Sequence, residues 1–170
     1  MLSSSIAKAV VDTSPLFTAL TLELVQRSPR TSRRSILEKS SLPIYLAKSS
    51  SRQEAFLQFF ASIRTILTTS HVIAELQGLL KREHQRKFWS YGMDLLSTRG
   101  FHEGFLRPLL DMHRIDVLRE AVCSEGPTDT GLIELARKEG CALLTDDERT
   151  LARRAWQLGM DCRLIRNLLP

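Results

Sequence analysis

The sequence predicts an α/β fold, a three-layer α/β/α sandwich on a mainly parallel central sheet. Three observations predict it. Short apolar runs rich in Val, Ile and Leu alternate with longer segments of helical periodicity. The 170 residues suit a single domain, 1–170, with a core of its own. The composition, 43% hydrophobic and 25% charged, is that of an ordinary globular protein.

The elements follow in order. Residues 6–11, IAKAVV, form a first strand, closed by Asp12-Thr13-Ser14-Pro15. Ser14 as cap and Pro15 in the first turn open a helix to about Arg27. Residues 53–62 make a short helix and 64–69, RTILTT, a second strand. Ser70 caps a helix from His71 to about Glu83, and residues 85–98 carry Phe88, Tyr91 and Leu95 at helical spacing. Residues 105–122 are helical with a break near Pro108. Ser124-Glu125-Gly126-Pro127-Thr128 breaks the chain before a helix from about Asp129 to Glu139, which Gly140 ends. A buried strand at 141–145, a helix from Glu148 to Leu158 and a strand at 161–165 complete the set.

Several classes are excluded or disfavoured. No segment approaches the ~18 uncharged apolar residues of a membrane span. The N-terminus lacks a basic stretch followed by a long apolar one, so no secretory signal is expected. Cys123, Cys141 and Cys162 form no CxxC pair, which disfavours zinc ribbons and fits reduced thiols in a cytoplasm. The four histidines form no HExxH pattern. No GxGxxG or Walker loop follows the first strand, so a dinucleotide- or P-loop enzyme is not expected.

The net charge of +5 is local. Residues 27–53 hold seven Lys/Arg against the single acid Glu38, whereas the other 143 residues hold 17 basic and 18 acidic side chains. This block also carries eight serines and two prolines around an apolar centre, Leu42-Pro43-Ile44-Tyr45-Leu46, and reads as a flexible insertion. Arg27, Arg30, Arg33 and Arg34 could track a phosphate backbone. A solvated loop, or a partner-docking arm anchored by Tyr45, are the alternatives. Lys81 and Arg82 belong to a second basic cluster.

In a parallel sheet, ligands bind beyond the carboxyl ends of the strands. Asp12 stands at the end of the first strand, and Asp146 and Asp147 stand just past Thr145 at the end of a later one. Glu75 falls beside the apolar stripe of its helix, formed by Val72, Ile73, Leu76 and Leu79. An ion pair with Arg64 would be the plain explanation for it. Asp129 begins a helix whose buried face is Leu132, Ile133 and Ala136, where a cap with no other role is the alternative. As a group these carboxylates could converge at one end of the sheet. Like charges repel unless cations neutralise them. An all-oxygen set suits Mg²⁺ or Mn²⁺, and the matching chemistry is metal-assisted phosphodiester hydrolysis.

Four segments carry a resemblance to the PIN-domain nucleases, most closely the toxin-like VapC type. They are Val10 to Leu16 with Asp12, Thr69 to Leu76 with Glu75, Gly126 to Arg137 with Asp129, and Leu143 to Asp147. Asp129 and Asp147 are 147 − 129 = 18 residues apart, room for a helix, a turn and a strand. The resemblance implies that Asp12, Glu75, Asp129 and Asp147 are catalytic metal ligands. It gives Asp146 as the alternative ligand and Thr13, Ser14 and Thr145 as supporting residues. It further implies an RNA substrate, Mg²⁺ or Mn²⁺, frequent homodimers and, for a toxin, an antitoxin that blocks the site. A catalytically inactive RNA- or protein-binding module on the same fold is the competing expectation.

Overall fold

The computed structural model describes residues 6–40, 42–79, 102–104 and 115–169. The expected helix at 85–98, the end of the helix predicted from His71, and residues 105–114 lie outside them. Within this set the chain runs β1 (Lys8–Val11), α1 (Thr13–Arg27), α2 (Arg30–Lys39), α3 (Ile44–Ala47), α4 (Ser50–Ser62), β2 (Thr65–Thr69), α5 (Ser70–Leu79), β3 (His102–Gly104), α6 (Ile115–Glu139) and β4 (Ala142–Thr145). A π-type turn (Glu148–Ala152), α7 (Arg153–Gln157), β5 (Cys162–Leu164) and a 3₁₀ turn (Ile165–Asn167) follow.

The five strands lie in the order β3-β2-β1-β4-β5, and every pair is parallel. Consecutive strand residues point to opposite faces, yet Ala9, Val10 and Val11 are each fully buried. Both faces of the central strand are therefore covered, as the three-layer α/β/α prediction requires. β2 is placed on one side of β1 and β4 on the other. That reversal between β1 and β4 is where an open parallel sheet leaves a crevice at its carboxyl edge. The main chain ties the two strands there, Asp12 N–H donating to the Leu144 carbonyl at 3.0 Å.

Asp12, rather than Ser14, caps α1, its side chain accepting from Thr13 N–H. The helix is buried on almost every side. Its neighbours explain why: α2, α4 and α5 pack around it, along with β4. The short helix expected at 53–62 is α4, which turns aromatic side chains inward. Phe56 and Phe60 are buried and stacked, with ring centroids 5.8 Å apart.

Residues 27–53 differ from the flexible insertion read from their composition. They form α2, α3 and the start of α4. The reason lies in a few apolar anchors among the serines and arginines. Leu42 and Leu46 are buried in the core, and Ile36, Leu37 and Tyr45 pack against it. Arg33 closes the end of α1 by donating to the carbonyls of Ser28 at 3.0 Å and Gln26 at 2.9 Å. The segment is thus a helical strap that turns back along α1.

The break expected at Ser124–Thr128 is a single residue. α6 runs from Ile115 to Glu139, and only Gly126, at φ +84°, leaves helical geometry. Pro127 reopens the helix where its missing N–H is not needed. Thr130 Oγ1 donates to the Gly126 carbonyl at 2.8 Å and seals the kink. β3, at the sheet edge, was not expected from the sequence; its three residues are too short for a periodic signal.

Candidate functional site

Three of the predicted carboxylates are joined through threonine hydroxyls at the carboxyl ends of β1 and β4. Asp12 follows β1 directly and is 8% exposed. Its Oδ1 accepts from Thr13 N–H at 2.6 Å, and its Oδ2 accepts from the hydroxyl of buried Thr145 at 2.6 Å. The same Thr145 oxygen accepts from Asp147 N–H at 2.9 Å. Thr145 therefore bridges Asp12 to the main chain of Asp147. On the other side, Thr13 Oγ1 donates to Glu75 Oε2 at 2.7 Å. Thr128 Oγ1 donates to Glu75 Oε1 at 2.6 Å. Glu75 is thus held by two hydroxyls. Asp129, next to Thr128 at the reopened start of α6, is brought to the same end of the sheet and is half-buried.

Burial pushes the Asp12 carboxyl above the ordinary range, the Thr145 and Thr13 bonds oppose this, and the nearby charges of Glu75 and Asp147 add to the rise. Asp147 behaves differently. Burial raises its carboxyl too, but the bonds from Thr150, Arg149 and Leu151 prevail and bring it below the usual value. Those bonds make it the cap of the next turn: Oδ1 accepts from Arg149 N–H at 3.0 Å and Thr150 N–H at 3.1 Å, and the Thr150 hydroxyl donates to Oδ2. That turn closes with Ala152 N–H on the Asp147 carbonyl at 2.9 Å, a five-residue ring of the kind that gathers at functional sites.

Asp146 has other partners. Tyr45 Oη lies 3.0 Å from its Oδ1 and 2.9 Å from its Oδ2. Burial raises its carboxyl, with Tyr45, the main-chain N–H of Arg166 and the Arg166 charge opposing. The Tyr45 phenol is itself pushed well up, by burial first and then by Asp146.

The donor set fits a hard divalent cation. It is built of oxygens, it centres on a desolvated Asp12 carboxyl, and its like charges act on one another. Among the described residues, no three His, Cys, Asp or Glu side chains stand close enough to grip one ion together. Glu75 is engaged by two threonine hydroxyls and Asp147 by the capping bonds of its turn.

The supporting residues divide. Thr13 and Thr145 bond the carboxylates, while Ser14 lies half-buried on α1. Thr128 was not singled out from the sequence; its place beside Asp129, after the Gly-Pro break, was the available signal. Arg27 to Arg34 fall at the far end of α1, about 20 Å from Asp12 at ~1.5 Å of rise per residue. Arg27 pairs with Glu23 at 3.6 Å and Arg34 with Glu38 at 2.7 Å. Arg30 is exposed. Lys81 and Arg82 lie outside the described residues. Glu75 has threonine partners in place of the Arg64 ion pair considered from the sequence.

Among the described residues no helix is long and apolar enough to cross a membrane. No curated protein sequence matches the chain. The family model described as PIN domain matches residues 39–157, and so takes in Glu75, Asp129, Asp146 and Asp147, while Asp12 precedes the matched span. The match covers well over half of the 170 residues, and the chain belongs to the PIN domain family.

Proposed function

We propose that the protein is a divalent-cation-dependent endoribonuclease that hydrolyses RNA phosphodiester bonds at the carboxyl edge of β1 and β4. The observation that carries this reading is the threonine-bridged set of carboxylates at the strand reversal, with a buried Asp12 at its centre. Membership of a family of nucleases supports the reaction class. Asp12, Glu75, Asp129 and Asp147 would hold Mg²⁺ or Mn²⁺. When bound, such an ion acidifies water and neutralises charge on the phosphate. The chain's own contribution is orientation. Thr145 fixes Asp12 against the Asp147 main chain, Thr13 ties α1 to Glu75, and Thr128 ties α6 to Glu75. The exposed Arg149 and Arg153, on the turn and helix after Asp147, would meet the phosphate backbone of a bound RNA.

Within the family we assign the chain to the toxin-like VapC branch, acting as a cytoplasmic homodimer that a small antitoxin inhibits. Growth arrest on expression, relieved by Asp129→Asn, is the expected result; growth unaffected by the active protein would remove the toxin role and leave RNA processing.

A second reading, an inactive RNA- or protein-binding module, is favoured by the spread of the acidic side chains. The deciding experiment is cleavage of a labelled mixed RNA pool by wild type and Asp129→Asn in Mg²⁺, Mn²⁺ and EDTA. Cutting that needs the cation and vanishes in the variant supports the nuclease. RNA that is bound but uncut, with binding indifferent to EDTA, supports the module.

A further inference from the structure

Two adjacent carboxylates, Asp146 and Asp147, follow β4, and of the two residues Asp147 bonds the threonine bridge, through its main-chain N–H. We propose that Tyr45 is a positioning residue: it holds Asp146 out of the acidic site, so that Asp147 alone of the pair serves as a cation ligand. This rests on the metal-dependent reading above and names the device that sets the ligand count.

The argument begins with the two environments. Asp147 N–H bonds the hydroxyl that also bonds Asp12. The like charges acting on Asp12 are those of Glu75 and Asp147. Asp146 is oriented by a different group of atoms. Its two oxygens straddle the Tyr45 hydroxyl, and the main-chain N–H of Arg166, on the turn after β5, also serves it. Arg166 in turn pairs with Glu148. Asp146 therefore belongs to a network on the β5 side of the strand end.

Tyr45 is itself well held. It sits in α3 between core residues Leu42 and Leu46, the latter fully buried, and lies 101 residues before its partner. The strap seen as basic and serine-rich in the sequence thus delivers one phenol to the rim. Both carboxylates are on the two-residue link between β4 and the turn at Glu148, so a freed Asp146 would be a fifth negative group within reach of the site. Repulsion from it would shift the ligands, and it could capture the cation in a competing arrangement. A phenol is a suitable restraint. It donates one hydrogen bond without adding charge, and burial together with the facing carboxylate keeps it protonated.

The test compares Tyr45→Phe, Asp146→Asn, the double variant and Asp147→Asn. Mn²⁺ binding is read by isothermal titration and RNA cleavage as separate kcat and KM. Folding of each is checked by circular dichroism. Asp146→Asn retains an acceptor for Tyr45 and is expected to bind Mn²⁺ like wild type. Tyr45→Phe is expected to alter Mn²⁺ affinity or kcat by roughly tenfold, in the range of outer-sphere substitutions, with KM little changed. The double variant should return to wild-type behaviour, because no carboxylate remains to be misplaced.

Loss of Mn²⁺ binding in Asp146→Asn, equal to that in Asp147→Asn, would overturn the proposal by making Asp146 a ligand. So would a double variant as impaired as Tyr45→Phe, which would reduce Tyr45 to an anchor for the strap. An unchanged Tyr45→Phe overturns it as well. Should Tyr45→Phe fail to fold, Asp146→Asn alone decides. Wild-type protein that binds Mn²⁺ but cuts no RNA would end the nuclease reading while leaving the assignment of Tyr45 open to the same titrations. Absence of any Mn²⁺ binding by wild type removes both.

Discussion

Replacing Thr145 by valine separates the hydroxyl from the shape of the side chain. Thr145 is fully buried, and valine fills nearly the same volume, so no cavity term arises. What is lost is the 2.6 Å bond to the Asp12 carboxylate and the acceptor for Asp147 N–H at 2.9 Å. A hydrogen bond to a charged group contributes about 1.5–3 kcal/mol. The orphaned N–H adds less than a full desolvation penalty, because Asp147 is exposed and water can reach it. A total near 3 kcal/mol is expected, and at ~2–4 °C per kcal/mol for a chain of this size Tm should fall by roughly 6–12 °C. Thr145→Ser keeps both bonds and loses one methyl, at about 1 kcal/mol.

The loss has a defined pH dependence. Burial raises the Asp12 carboxyl above its unfolded value and the Thr145 bond opposes that rise. A group raised in this way contributes stability below its unfolded pKa and loses it as pH climbs through the folded one. Without the hydroxyl the folded value climbs further, so the variant falls further behind wild type toward neutral pH and recovers on acidification. Thermal melts of wild type, Thr145→Val and Thr145→Ser at neutral and acidic pH check this. A Thr145→Val loss no larger than that of Thr145→Ser, or one that grows on acidification, would refute the reasoning.

Four further outcomes are expected. Mn²⁺ at about a hundred times its Kd should stabilise the wild type by ~2.7 kcal/mol through mass action, and Asp12→Asn should abolish that gain in the same melts. Phe56→Ala should cost about 3–5 kcal/mol, since the ring is fully buried against Phe60, with no change in KM for the surviving folded fraction. Gly126→Ala forces a side chain into φ +84°, ψ 163°, a region open essentially to glycine alone, and should cost roughly 1–3 kcal/mol in denaturant unfolding. It should also lower RNA cleavage, because Thr128 and Asp129 follow the kink directly. Replacing Arg30, Arg33 and Arg34 with alanine should leave kcat intact, and any phosphate contact they make would appear as a salt slope of RNA binding shallower by about one unit per contact.

The parts of the fold visible in the sequence were those with strong local causes. β1, β2 and β4 are short apolar runs, and Asp12 and Asp147 stand at their ends because a parallel sheet presents ligands there. Glu75 and Asp129 were visible as carboxylates beside apolar helical stripes. The strap was misread because eight serines and seven basic residues outweigh the anchors Leu42, Leu46 and Tyr45, whose effect is tertiary. β3 gave no pattern because three residues at a sheet edge need none. Thr128 and the contact between Tyr45 and Asp146 were hidden for a common reason: each joins elements 53 or 101 residues apart, and no local spacing encodes such a meeting.

The bond from Asp12 N–H to Leu144 divides the acidic site into two mechanical classes. Asp12 and Asp147 flank strands that pair at the centre of the sheet, and separating them means parting β1 from β4. The buried Asp12 amide should exchange with solvent only on global unfolding. Glu75 and Asp129 ride on α5 and α6 and reach this frame through the Thr13 and Thr128 hydroxyls. The site therefore joins a fixed wall to an adjustable one. A bound cation would be sensed as slowed exchange in α5 and the start of α6, while β1 and β4 would register almost nothing.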